Sequence, residues 1–193
     1  MKISTYVSYG MMMSKLSQET DLIENQSKIL VYLERNPGSH LRKMRTDLGL
    51  ALGTLRYHLH SLEKRGKIAS EKNESFRYFF LISKYSDYEK NVLKALYHKN
   101  TRKILMFIME RKNPTLKDIV KNIEISYASV RWHVDRLSDL GVVFEFRDGR
   151  YRRYHISVNT DIVVKFLKDY YTNEWNIWSN KLVNRYLSLS SEA

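Results

Sequence analysis

The chain has 193 residues, 43% of them hydrophobic, enough for one or two domains with buried cores. Thirty-three Lys and Arg stand against 21 Asp and Glu, a formal charge of +12 that favours a polyanionic partner such as nucleic acid or an anionic membrane surface. With no cysteine, disulfides, thiolate metal sites and thiol catalysis are excluded together.

Residues 1–24 read as a leader, partly disordered or helical, without a continuous apolar signal segment. No later run approaches the roughly 18 apolar residues that span a bilayer, so a soluble cytoplasmic protein with no membrane partner is expected. From Asn25 the chain repeats itself: a shift of 75 residues lays NQSKILVYLERN on NTRKILMFIMER, from Asn100, without a gap. Asn25, Lys28, Ile29, Leu30, Leu41, Arg56, His58, Leu62, Gly66 and Arg77 recur identically, and most apolar positions are conservatively exchanged.

Each copy has the same grammar. A first helix (about Gln26 to Arg35; Thr101 to Arg111) leads through a Pro-containing turn to a second (Leu41 to Leu48; Leu116 to Ile123). A third helix ends before Gly66 or Gly141, where glycine suits a left-handed helix terminus. The period then changes to two. Lys67 to Leu81 and Val142 to Ile156 each predict a hairpin, turning at Asn73-Glu74 and Asp148-Gly149. Three helices and a hairpin make a winged helix-turn-helix, expected over 25–84 and 100–158.

Between the copies, 85–99 predicts a helical linker opened by the capping box Ser86 to Glu89 and holding the domains in a semi-fixed relation. After Ser157 one long helix is expected from Asp161 to Leu189, within a tail of 159–193. Its apolar stripe, Val164, Leu167, Tyr171, Trp175, Trp178, Leu182, Tyr186 and Leu189, follows an eleven-residue pattern. Leu167, Tyr171, Trp175, Trp178, Leu182 and Tyr186 are expected to dimerise the chain. The fold class expected is mainly α with small β-hairpin wings (α+β): two tandem winged helix-turn-helix domains and a long C-terminal helix.

On a helical wheel, Leu52, Leu59 and Leu62 fall within about 60° of Leu55 and form a buried stripe. Gly53, Tyr57, His60 and Lys64 point the other way, with Thr54 and Arg56 on the flanks. Small, aromatic and basic groups suit a DNA groove better than a solvated face of Glu and Lys. Gly53 permits close approach, and Arg56 or Arg131 can hydrogen-bond guanine O6 and N7. Tyr57 and Trp132 can pack on a thymine methyl or a sugar. In the second copy Ser126, Tyr127 and Ser129 complete the expected base-reading set.

His58 and His133 lie at the core edge with no carboxylate or second histidine recurring at ligand spacing, so a packing or phosphate-bonding histidine is expected and no metal or cofactor. Expected phosphate contacts are Arg42, Lys43, His58, Lys64, Lys72 and Arg77, with Lys117, His133, Arg147, Arg150, Arg152 and Arg153 in the second copy.

The strings HL-x2-L-x3-G-x-I at His58 to Ile68 and HV-x2-L-x3-G-x-V at His133 to Val143 resemble the recognition-helix signature of ArsR-type and related MarR-like winged-helix regulators. Thr54, Arg56 and Tyr57 ahead of the histidine resemble archaeal members. The resemblance covers Asn25 to Leu81 and Asn100 to Ser157. It implies a transcription factor whose third helix enters the major groove while the wing tracks the backbone. Single-domain relatives dimerise to present two heads, whereas this chain carries two itself, and the cysteines of metal-sensing members are missing.

The heads differ. His60 and Lys64 of the first are replaced by Asp135 and Asp139, while the second wing, RDGRYRR, is richer in arginine. The first head is therefore expected to rely on its helix and the second on its wing. The function expected is a sequence-specific, double-stranded DNA-binding transcriptional regulator, a homodimer acting on promoter or operator and in contact with transcription machinery. An architectural module using winged helices for protein contacts is the alternative. No repeated acid-base pair, phosphate-cradling loop or metal cluster supports an enzyme.

Overall fold

The computed structural model describes residues 20–73 and 76–191, with side chains described except at Asn73 and 185–191. Most of the leader, the tip residue Glu74 and the side chain of Tyr186 therefore lie outside the described residues. The chain divides into two units, Met1–Tyr85 and Ser86–Ala193.

The first unit opens with α1 (20–35), which starts earlier than Gln26. The two-residue strand β1 (Ser39–His40) follows, then α2 (Leu41–Leu48) and α3 (Leu52–Lys64). His40 is both strand end and cap, its Nδ1 accepting the Lys43 amide at 3.1 Å. Strands β2 (Ile68–Asn73) and β3 (Phe76–Leu81) form the hairpin, and β1 joins the outer side of β3, Ser39 opposite Phe79. Ile29, Leu33, Met44, Leu55, Leu59, Leu62, Ile68 and Phe79 make one core, so the predicted stripe of α3 faces inward.

The second unit begins with α4 (Asp87–Tyr97), capped by the expected Ser86–Glu89 box. The segment expected as a linker instead packs within this unit, on α5 (Lys99–Arg111) and α8 (Thr160–Tyr170), burying Val92, Leu93 and Leu96. Helices α6 (Leu116–Ile123) and α7 (Tyr127–Asp139) and strands β4 (Val143–Asp148) and β5 (Tyr151–Ile156) repeat the order of the first unit. The counterpart of β1 shrinks to one bridge, Thr115 to Arg153, because Pro114 stands where Ser39 did and has no N–H to pair. Gly66 and Gly141, 75 residues apart, both adopt positive φ (65° and 67°) where α3 and α7 turn into their hairpins. Asp148 pairs with Tyr151, so the second turn is Gly149-Arg150, one residue later than predicted.

The tail is not one helix. α8 stops at Tyr170 and α9 (Thr172–Ser191) starts after Tyr171, whose φ of −137° and ψ of 45° leave the helical region. At the break the chain meets α5. Arg102, 6% exposed, sets its guanidinium 4.1 Å from the Tyr171 ring centroid, donates to Leu96 O at 2.6 Å and pairs with Glu174. Two dimerisation expectations are corrected here: Leu167 is fully buried in its own unit, and Tyr171 covers Arg102. The Trp175 and Trp178 rings lie 5.4 Å apart, tilted by 59°, and with Leu182 are half-buried.

Candidate nucleic-acid interface

In the first unit α3 turns Gly53, Arg56, Tyr57, His60 and Lys64 outward, with Tyr57 59% exposed and Thr54 half-buried. Arg56, His60 and Lys64 make no ion pair or side-chain hydrogen bond among the described residues. A Cβ added at Gly53 would meet nothing within 4 Å, so glycine here serves no internal packing need. Arg42 and Lys72 are exposed, while Lys43 is bound to Asp47 at 2.8 Å. Arg77 is less free: its Nε donates to Ser70 Oγ at 2.7 Å and its Nη2 reaches Glu63 at 3.2 Å.

The second unit places the same arginine in a different setting. Arg131 Nε meets Asp135 at 2.9 Å, and its Nη1 reaches Tyr154 Oη at 3.4 Å and Glu145 at 3.5 Å. Tyr154 Oη donates to Glu145 at 2.9 Å, and Arg152 Nη1 binds the other Glu145 oxygen at 2.9 Å. Burial and the Glu145 hydrogen bond push the Tyr154 phenol up to about 12, and the Asp135 hydrogen bond raises the Arg131 pKa. In the first unit the three caging positions hold His60, Ser70 and Phe79, none of which is a carboxylate. Arg131, expected to read bases, is thus caged on the flank of α7 against the hairpin.

Other expected readers in this unit have structural tasks as well. Ser126 caps α7, accepting the Ser129 amide at 3.2 Å and donating to Ser129 Oγ at 2.9 Å. Tyr127 and Trp132 remain exposed, Trp132 by 51%, with the Arg136 guanidinium over its ring. Of the wing arginines, Arg153 binds Asp148 at 2.6 Å and donates to Asn113 O at 3.0 Å, tying the hairpin to the turn before α6. Arg147 and Arg150 have no carboxylate partner among the described residues, and Arg150 lies over the Tyr151 ring. Lys117 is exposed at the start of α6.

The two histidines lie at the core edge. His58 is 4% exposed, and burial holds its pKa below the usual imidazole value. His133 Nδ1 shares a 2.8 Å hydrogen bond with Thr101 Oγ1, its pKa lowered by burial and then by Arg136. His58 is turned into the fold and His133 is held by Thr101. Sequence reasoning missed Glu145 and Arg102. Glu145 had one available signal, a carboxylate on the core-side strand two residues beyond Val143. Among the described residues no cluster of His, Asp and Glu could hold a metal ion, and no helix is long and apolar enough to cross a membrane.

Taken together, a tri-helical core, a hairpin wing and an outward third helix define a winged helix-turn-helix protein. Residues 23–93 match the family described as the HVO_0163 N-terminal HTH domain. The uncharacterized HTH-type transcriptional regulator MJ1398 of Methanocaldococcus jannaschii is 31% identical over 155 residues, covering 79% of this chain. This chain spans 38% of that relative's length. Among solved structures, Rv0081 of M. tuberculosis aligns with 52% of this chain and 89% of its own at 23% identity and a TM-score of 0.33. An ArsR family transcriptional regulator aligns with 58% of this chain and 99% of its own at 17% identity and a TM-score of 0.33. The chain is thus similar to a protein named as an HTH-type transcriptional regulator and, over residues 23–93, to an N-terminal HTH domain.

Proposed function

We propose that the chain is a sequence-specific, double-stranded DNA-binding transcriptional regulator, a binding protein rather than an enzyme, using two tandem winged helix-turn-helix domains. The observation that carries this reading is the outward face of α3, where Arg56, Tyr57, His60 and Lys64 stand exposed and Arg56 has no ion pair among the described residues. Such a face offers a bidentate donor, an aromatic plane and two further polar groups to a major groove. Gly53, whose missing side chain fills no internal need, lets the helix come close to base edges.

The domains divide the work in this proposal. α3 reads bases, while α7, its arginine engaged by Asp135 and Glu145, contributes less selectivity. The second wing then supplies affinity through Arg147 and Arg150 on phosphates. A homodimer through α9 fits the same picture, because Ile177 is 72% exposed and Val183 is also exposed on that helix. Cytoplasmic action at a promoter, by blocking or recruiting transcription machinery, follows from these assignments.

Selection of bound fragments from random duplex DNA tests the proposal. A defined motif is expected with the wild-type chain, and a motif relaxed at one G·C position with Arg56→Ala. Recovery of unselected DNA from both would overturn it. The second reading, an assembly module that binds proteins, is favoured by the exposed Tyr127, Trp132 and Phe144 of the second unit, and it predicts no motif from either chain.

A further inference from the structure

The second hairpin has two unlike faces. Alternation along the paired strands puts Val143, Glu145 and Tyr154 on one side, where Val143 and Tyr154 are buried. Phe144, Phe146, Tyr151, Arg153 and His155 share the other side with Asp148. This outer face is aromatic yet uncovered: Phe144 is 45% exposed, Tyr151 is 49% exposed, His155 is exposed and Phe146 is half-buried. The Phe144 ring lies 5.8 Å from that of Phe146 and 5.2 Å from that of His155, so these rings form a connected patch rather than scattered side chains.

The first hairpin is an internal control. The same 75-residue shift places Ala69, Glu71, Phe76 and Phe80 where the second has Phe144, Phe146, Tyr151 and His155. There the rings are met from outside the hairpin: His40 stacks on Phe76 at 5.3 Å, and the Tyr85 ring meets the fully buried Phe80 edge-on at 6.3 Å. In the second unit the positions of His40 and Tyr85 hold Thr115 and Thr160. Thr115 caps α6 and Thr160 opens α8. The second unit thus carries rings on β4 that the first lacks, and lacks the two rings that meet this face in the first. Folding does not account for Phe144 and Tyr151 at its surface.

The border of the patch is cationic. Arg150, in the turn, lies 5.2 Å over the Tyr151 ring. Lys112 is exposed in the turn before α6, next to Asn113, whose Oδ1 lies 2.6 Å from His155 Nδ1. Lys112, Arg147 and Arg150 have no carboxylate partner among the described residues, and the Asp148 carboxylate on this face is taken by Arg153.

Exposed rings bordered by free cations suit a polyanion that has flat apolar faces to offer. A duplex keeps the faces of its bases against one another, so the match is an unpaired strand. We propose that the outer face of the second hairpin binds single-stranded nucleic acid, with bases stacked on Phe144 and on Tyr151 beside Arg150, and phosphates on Lys112 and Arg147. The site belongs to the other unit from α3 and does not depend on base reading there.

The test titrates the full chain into fluorescein-labelled strands of about twelve nucleotides, within the site sizes of single-strand binders. Three strands are used: oligodeoxythymidine, oligouridine, and an abasic strand with the same phosphates and no bases. At least one base-bearing strand is expected to bind about tenfold more tightly than the abasic one, roughly the factor that one stacked base contributes. Which of the two binds tells DNA from RNA. Phe144→Leu keeps an apolar side chain at an exposed position and removes the ring face. It should weaken base-bearing strands about tenfold and leave the abasic strand unchanged. Tyr151→Leu tests the second stacking plane in the same way. Equal binding of the abasic strand, no binding of either base-bearing strand, or affinities unmoved by both variants would overturn the proposal. So would a wild-type dimer in sedimentation that Phe144→Leu breaks and the strands do not, because a second copy would then cover the face. A chain that selects a duplex motif but ignores unpaired strands sinks this inference alone. One that binds unpaired strands but selects no duplex motif sinks the proposed function alone.

Discussion

Arg56 and Arg131 occupy equivalent places in a 75-residue repeat, yet replacing each by alanine should do opposite things. Arg56 touches no carboxylate among the described residues, so its loss should leave folding stability within about 0.5 kcal/mol of wild type. The same change removes a groove-facing donor pair and should cost about 1–3 kcal/mol of discrimination at one base pair. Arg131 has a side chain 40% exposed, one i,i+4 pair with Asp135 and a longer contact to Glu145. Discounted for solvent, the two are worth about 1 kcal/mol together. Glu145 keeps Tyr154 and Arg152 after the change, so no orphaned charge enlarges that figure. Urea unfolding measures the first quantity, and fluorescence anisotropy against the selected duplex and its single-base variants measures the second. Should Arg131→Ala cost as much base discrimination as Arg56→Ala with no loss of stability, the cage is not holding the arginine in solution and the division between the heads is wrong.

Arg147→Ala and Arg150→Ala should each flatten the log–log salt dependence of DNA binding by about 0.9 without altering the motif. Arg153→Ala should instead loosen the hairpin, because it loses Asp148 and the Asn113 carbonyl, and faster amide exchange in β5 would register it. Gly53→Ala, with open space at the new methyl, should raise stability by about 0.5–1 kcal/mol in urea unfolding while weakening DNA binding in anisotropy. His40, His58 and His133 all have folded pKa values below the ordinary imidazole value, so the unfolded chain takes up protons first as pH falls. Stability should be full above about pH 6.5 and decline below it, and His58→Phe should flatten that decline in unfolding curves.

The elements most legible in the sequence are those whose determinants are local. The bounds of α2 and α6 follow from apolar spacing, and the α4 start from a four-residue capping box that the structure forms in full. β1 could not be read, since two residues carry no period and pair only because β3 comes alongside. The break at Tyr171 was hidden for the opposite reason: the apolar spacing runs through it unbroken, and the cation that the Tyr171 ring covers lies in α5. Periodicity reports which side of a helix is apolar. It does not report that a distant buried charge needs a ring and a carboxylate from successive turns.

The candidate site was legible in its backbone and misread in its polar partners. Arg56 and Arg131 are identical, as are His58 and His133, so equivalence was the natural inference. Their surroundings changed instead: His60 became Asp135, Ser70 became Glu145, Phe79 became Tyr154 and Gln26 became Thr101. The first three changes cage one arginine, and the fourth satisfies one imidazole. Each moves polar groups without touching the apolar stripe, so the fold is kept while the chemistry on its surface diverges. One head therefore retains, among the described residues, an exposed cation without a carboxylate partner, available to something outside the chain, and a buried imidazole nitrogen without a hydrogen-bond partner. The other has turned both inward, and what its surface still offers is a basic hairpin and exposed aromatic rings.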